Sequence, residues 1–214
     1  VSIIMHSTEE LAVFILKLNR DRGRLVISIA GPPGSGKSTL SDTLCNLLNN
    51  QIGSEEAVVM PMDGYHLDNS ILERKGLLSR KGAPATFDVE SFLSDIQQIY
   101  KKDTELTIPV FDRELDCSIP HAKHILKSHG LILMEGNYLL LKDNPWHKIN
   151  SFVDLSIFLK VPIEMLEKRL IKRWLDHGLT KEEAIKRALS NDIPNANFVN
   201  NNSSPADIVL EQED

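Results

Sequence analysis

Residues 31–39 read Gly-Pro-Pro-Gly-Ser-Gly-Lys-Ser-Thr and fit the pattern G-x-x-x-x-G-K-[ST]. The pattern constrains the fold because it needs a buried strand before it and a helix after it. Both flanks are present. Leu25-Val26-Ile27-Ser28-Ile29-Ala30 is a short apolar, β-branched run, as expected of a buried strand. After the loop, Leu40, Leu44, Leu47 and Leu48 recur at helical spacing. Glycines let the backbone curl so that successive N–H groups face an anion. The helix that follows adds the positive end of its dipole. Gly31, Gly34, Ser35, Gly36, Lys37, Ser38 and Thr39 are therefore the expected nucleotide-binding residues. Lys37 would reach the β- and γ-phosphates, and the Ser38 hydroxyl would ligate Mg²⁺. A nucleoside triphosphate is the expected ligand; what is done with it must come from the rest of the chain.

At 214 residues the chain suits one α/β domain with an inserted lid. Its formal net charge of −6 argues against nucleic-acid and anionic-membrane partners, so phosphate binding must rest on local cations. The two cysteines, Cys45 and Cys117, show neither zinc nor disulfide spacing, which points to a reducing cytoplasm. The apolar run at 11–18 is broken by Lys17 and is too short for a signal peptide or a membrane span.

Ser7 and Glu10 stand at capping-box spacing before an apolar face of Leu11, Phe14, Ile15 and Leu18, with Gly23 as a stop. Strands are expected at 57–60, 131–136, 152–159 and 208–210, and a Pro109-containing edge strand near 106–113. Helices are expected at about 89–101, 162–176 and 181–190. Residues 67–87 are basic and punctuated by Gly and Pro, which predicts a mobile loop region with one short helix. Strands alternating with helices imply a mainly parallel sheet. The expected fold is α/β: a three-layer arrangement with a five-stranded sheet, helices on both faces and a lid at about 162–190.

Two acids follow buried strands. Asp63, in Met62-Asp63-Gly64, fits a turn residue and a group facing the γ-phosphate equally well. Glu135 closes Leu131-Ile132-Leu133-Met134-Glu135, where a carboxylate can hold Mg²⁺ directly or through water. Arg169 and Arg173, four apart on the late helix, can close over the phosphates. Together these residues make a phosphoryl-transfer kit. Lys37, Mg²⁺ and the arginines neutralise the γ-phosphoryl, and Asp63 orients and deprotonates an attacking hydroxyl. A GTPase switch would show N-K-x-D for guanine, and the chain has none. The acceptor is a small molecule expected among residues 64–120. Tyr65, His66, Arg74, Phe87, Asp88 and Arg113 offer aromatic and charged contacts there. Arg74 and Arg113 suit a carboxylate or phosphate on the acceptor, or the γ-phosphate itself.

With these residues assembled, the chain resembles the phosphoribulokinase/uridine kinase group of P-loop kinases, which includes type I pantothenate kinases. The likeness runs from about residue 26 to 210. Met62-Asp63-Gly64-Tyr65-His66 is similar to the group's D-G-F/Y segment, whose Asp is the catalytic base. Leu72-Glu73-Arg74-Lys75-Gly76 is similar to the pantothenate kinase L-x-x-R-K-G stretch, and Phe87-Asp88 to the aromatic-Asp pair after it. Pro109-Val110-Phe111-Asp112 is similar to the segment lining the acceptor site, with Phe111 in place of the usual Tyr. Glu135-Gly136 and the Arg169/Arg173 pair match the strand-end E-G and the lid arginines. Glu135-Gly136-Asn137-Tyr138-Leu139-Leu140 and Asn191-Asp192-x-Pro194-Asn195-Ala196 are similar to bacterial proteins described as fructose transport system kinases or nucleoside/nucleotide kinases. The resemblance implies an ATP- and Mg²⁺-dependent cytoplasmic kinase in a single domain over 1–214, acting on a sugar, sugar acid or vitamin-like hydroxyl. A nucleoside acceptor is the alternative, although Arg113-Glu114-Leu115 departs from the uridine kinase H-x-R pattern. His177-Gly178 stands where many members have Arg-Gly. A homodimer is the default for a symmetric enzyme.

Overall fold

The computed structural model describes residues 2–18, 23–101 and 103–211. In chain order its strands are β1 (Ile3–Met5), β2 (Leu25–Ala30), β3 (Ala57–Pro61), β4 (Leu106–Asp112), β5 (Cys117–Ile125), β6 (Leu131–Gly136), β7 (Leu155–Lys160) and β8 (Ile208–Glu211). Six of them form one sheet in the order β1-β8-β7-β2-β6-β3, and every pairing is parallel. Such a sheet must be covered on both faces, so its inner strands read as continuous apolar runs. Every residue of β2 and of β6 is buried. Alternation splits their side chains between two cores. Ile27, Ile29, Leu131 and Leu133 join the core under α1 (Thr8–Leu16) and α2 (Lys37–Ile52). Val26, Ile132 and Met134 join the opposite core, with Phe92 and Ile96 of α4 (Val89–Tyr100); α3 (Asn69–Arg74) is the short helix before it.

The α/β class with helices on both faces is as expected, but the sheet has six strands among the described residues, not five. The added strand is β1, three residues at the edge, where Ile3 and Ile4 stay half exposed. Such a stretch carries no readable alternation. The segment near 106–113 is not an edge of the main sheet. It pairs antiparallel with β5 in a separate hairpin. The register slips between Ile108 and Val110, at Pro109, which has no N–H to give the ladder. Residues 67–87 form α3 and two 3₁₀ turns, Leu78–Arg80 and Pro84–Thr86, closed by a bridge between His66 and Phe87. The one short helix expected in this segment is α3.

The late helices also differ from expectation. α5 (Ile163–Asp176) has Pro162 as its N-cap, not as its first helical residue. α6 (Lys181–Arg187) opens on a complete Thr180/Glu183 capping box but stops short of 190. One π-helical stretch, Ala188–Asp192, joins it to α7 (Ile193–Asn202), built from the Asn-rich segment. No helix among the described residues is long and apolar enough to cross a membrane.

The turn after β3 is tied to the hairpin by a close approach. A Cβ on Gly64 would lie 2.2 Å from the Pro109 carbonyl oxygen, and the Ser118 hydroxyl donates to the Gly64 carbonyl. The obstacle is backbone, which cannot swing aside. Gly64→Ala is expected to cost about 1–3 kcal/mol, as overpacking does. The measurement is a lowered urea midpoint; wild-type stability would show that β4 can move away without penalty.

Candidate active site

Parallel pairing brings the polar ends of three neighbouring strands to one edge. Glu135 on β6 stands in register with Ile29 on β2 and with Pro61 on β3. The glycine loop therefore lies on one side of Glu135 and Asp63 on the other. In open α/β sheets ligands gather at this carboxyl edge. Gly36 is the N-cap of α2, with φ +90° and open space where a Cβ would be, so the loop can present backbone N–H groups inward. The Lys37 ammonium donates to the Pro32 carbonyl at 3.2 Å, and Arg169 Nη1 donates to the Ser35 carbonyl at 3.3 Å. The Ser38 hydroxyl donates to Glu135 Oε1 at 3.3 Å.

The electrostatics are those of a buried ion set. Burial pushes the Glu135 carboxyl up to about 7, with Lys37 opposing the shift and Asp63 adding to it. Burial likewise lowers the Lys37 ammonium, while Glu135 and Asp63 hold it up. Arg173 is lowered for the same reason, with Asp192 working against the shift. Both signs are held in little water, so a phosphate and its counter-ion would meet strong fields.

Two cavities adjoin here. One, about 280 Å³, is lined by the glycine loop with Lys37, Ser38, Thr39, Glu135 and Arg169. The other, about 320 Å³, opens toward the hairpin and the late helices. Pro33, Asp63, Arg113, Asn137 and Arg173 line both. In the second cavity His66 packs its ring against Phe87 at 4.1 Å and Phe111 at 4.7 Å. His66 Nδ1 donates to the Asp63 carbonyl at 2.8 Å, and burial lowers the imidazole pKa. Lys81 lies over Phe111 at 5.0 Å and pairs with Asp116 at 2.8 Å.

Of the residues expected to meet an acceptor, His66, Phe87, Phe111 and Arg113 line this second cavity, and Tyr65, Arg74 and Asp88 do not. Tyr65 is core: it is 4% exposed, packs on Phe92 at 4.7 Å and donates its hydroxyl to Asp95 Oδ2 at 2.7 Å. Asp88 caps α4 by accepting from the Ser91 N–H. Arg74 is exposed in the last turn of α3. Tyr65 ends the 3₁₀ turn Met62–Tyr65 on the core side, and His66, its C-cap, is the neighbour that lines the cavity.

Other lining residues were not expected from sequence: Lys81, Asn137, Trp174, Arg187, Asp192 and Asn195 among them. The late segment carried a usable signal. Asn191, Asp192 and Asn195 are polar yet at most 9% exposed, and the π-helical stretch turns the first two inward. π insertions inside helices often mark functional positions.

Residues 26–213 match the model of the phosphoribulokinase/uridine kinase family. The uncharacterized protein YggC of Escherichia coli is 38% identical over 88% of this chain and 78% of its own. A Schizosaccharomyces pombe protein provisionally named a uridine kinase is 36% identical over 96% of this chain and 91% of its own. A solved structure from Silicibacter sp. TM1040, provisionally named a fructose transport system kinase, is 42% identical. It superposes with a TM-score of 0.90, covering 96% of this chain and all of that one.

The reassignment of Tyr65 has a direct test. Tyr65→Phe should lower stability by about 1–2 kcal/mol, the loss of a hydrogen bond to the half-buried Asp95 carboxylate. Turnover parameters should stay within about twofold of wild type, because the hydroxyl faces away from the cavity. A large rise in acceptor KM would return Tyr65 to the site.

Proposed function

The chain belongs to the phosphoribulokinase/uridine kinase family and is a P-loop phosphotransferase acting on hydroxyl groups; from that premise we propose that it transfers the γ-phosphoryl of ATP to a hydroxyl of a sugar, sugar acid or vitamin-like metabolite. The observation that carries this reading is the shared wall. A phosphate-binding cavity and a second cavity of small-molecule size meet at Asp63, Arg113, Asn137 and Arg173. A γ-phosphate in the first and a hydroxyl in the second would be neighbours at that wall, the proximity that in-line transfer needs.

Each residue then has a task. The glycine-loop N–H groups and Lys37 bind the donor's phosphates. Arg169 and Arg173, from α5, approach the same cavity and offset charge that develops on the γ-phosphoryl. Asp63 accepts the proton of the attacking hydroxyl. The donor set also fits Mg²⁺. Ser38 and Glu135 present hard oxygen atoms side by side. When bound, the ion neutralises phosphate charge; Ser38 and Glu135 would hold it.

A nucleoside acceptor is the second reading. It is favoured by the aromatic wall of His66, Phe87 and Phe111, on which a base could stack. A coupled ADP-release screen over sugars, sugar acids, nucleosides and pantothenate separates the two. Asp63→Ala should lower acceptor-dependent ADP release by about 10²–10⁴-fold, the usual worth of general-base catalysis, with ATP affinity little changed. Near wild-type turnover in that variant would remove Asp63 from the role of base.

A further inference from the structure

Three buried polar atoms in the second cavity's residues have no hydrogen-bond partner among the described residues: Arg173 Nη2, Arg187 Nε and Asn191 Oδ1. Buried polar groups are almost always satisfied, so an unsatisfied set in one cavity marks where the atoms of water or of a ligand that displaces it belong. Arg173 also lines the phosphate cavity, whereas Arg187 and Asn191 line only the acceptor side. The pair is held in place. The Arg187 guanidinium lies over the Trp174 ring at 5.2 Å, and Trp174 Nε1 donates to Asp192 Oδ2 at 2.5 Å. Asn191 is 5% exposed and donates its amide nitrogen to the Lys81 carbonyl at 3.4 Å. A carbonyl can only accept, so this bond leaves the Asn191 oxygen as the end without a partner.

The chemistry of these atoms selects the ligand. A guanidinium N–H calls for an anionic oxygen. The Asn191 oxygen calls for a donor, and a hydroxyl serves. The other charges do not cancel the demand. Lys81 is occupied by Asp116. Arg113, Arg173 and Arg187 then face Asp63 and Asp192 in the same lining, which leaves one positive charge over.

We propose that the acceptor is a hydroxyl-bearing oxyanion, with its carboxylate or phosphate bound by Arg187 and a hydroxyl beside it bound by Asn191. The inference rests on the kinase reading above. A further hydroxyl of the same molecule faces Asp63. Its oxygen forms the new O–P bond, the bond from the γ-phosphorus to the β–γ bridging oxygen breaks, the proton passes to Asp63 and ADP leaves. His66, Phe87 and Phe111 pack against the carbon skeleton.

Two matched series test this: glycerol, glycerate and glycerol 3-phosphate, and glucitol, gluconate and glucitol 6-phosphate. Each is assayed for ADP release, and for its shift of Tm with a non-hydrolysable ATP analogue present. The expected result is a KM at least about tenfold lower, and a larger Tm shift, for at least one anion than for its neutral partner. Arg187→Gln should erase that preference by raising the anion's KM about 10–100-fold, as loss of a charge-assisted contact does, with ATP KM unchanged. Preference between glycerate or gluconate and the phosphates names the oxyanion. Equal use of neutral and anionic acceptors, or a preference that survives Arg187→Gln, overturns the proposal while the kinase reading stands. A rise in ATP KM instead would assign Arg187 to the donor and also overturn it. ATP binding with no ADP release for any acceptor in the wider screen fails the kinase reading, and the Tm shifts then decide the anion site alone.

Discussion

The parallel register of β3, β6 and β2 is the constraint on which the site depends. It sets Glu135 level with Ile29 and Pro61, so the glycine loop and the Asp63 turn leave the sheet on either side of one carboxylate. The apolar runs that specify the register are the same ones that form the two cores. Slipping one strand by a single residue would turn Ile132 and Met134 into the wrong core and move Glu135 off the edge. Hydrophobic burial and active-site geometry are thus fixed by one set of side chains. The hairpin extends this logic, because Gly64 lets the β4 backbone approach the turn that carries Asp63.

The same edge is electrostatically costly. Glu135, Lys37 and Arg173 are each pushed toward their neutral forms by burial; Lys37 opposes this at Glu135, Glu135 and Asp63 oppose it at Lys37, and Asp192 and Asp63 oppose it at Arg173. In a protein interior, removing one member leaves its neighbour uncompensated. A triphosphate with its cation would complete the set, adding negative charge near Lys37 and the arginines and positive charge near Glu135. Ligand binding and local stability are therefore coupled at this site, as mass action requires of any ligand that binds only the folded form.

The donor side was legible in the sequence because its chemistry is local. A nine-residue loop carries its own strand and helix signals, and Glu135 follows an unbroken apolar run. The acceptor side was legible only in part. His66, Phe87, Phe111 and Arg113 are brought together by the His66–Phe87 bridge and the hairpin, contacts between distant segments that no periodicity reports. Tyr65 looked as suitable as His66, and only packing against Phe92 and Asp95 separates them. β1 escaped notice because three residues at a half-exposed edge leave no pattern. The Asn-rich stretch escaped because polar residues suggest a surface, and here Asn191, Asp192 and Asn195 face inward.

That last reversal explains how one late segment can border two cavities. Positions 187 and 191, four apart, are neighbours on a helical surface. The π-helical stretch Ala188–Asp192 widens the turn and buries Asn191 and Asp192, and α7 after it places Ala196 and Val199 in the cores. Side chains on the turn are left facing the cavity beside Arg173. Because Arg173 on α5 borders both cavities and Arg187 borders one, closure of this segment over a donor would carry the acceptor-side groups with it. Groups that border the two cavities are thus carried by one contiguous late segment.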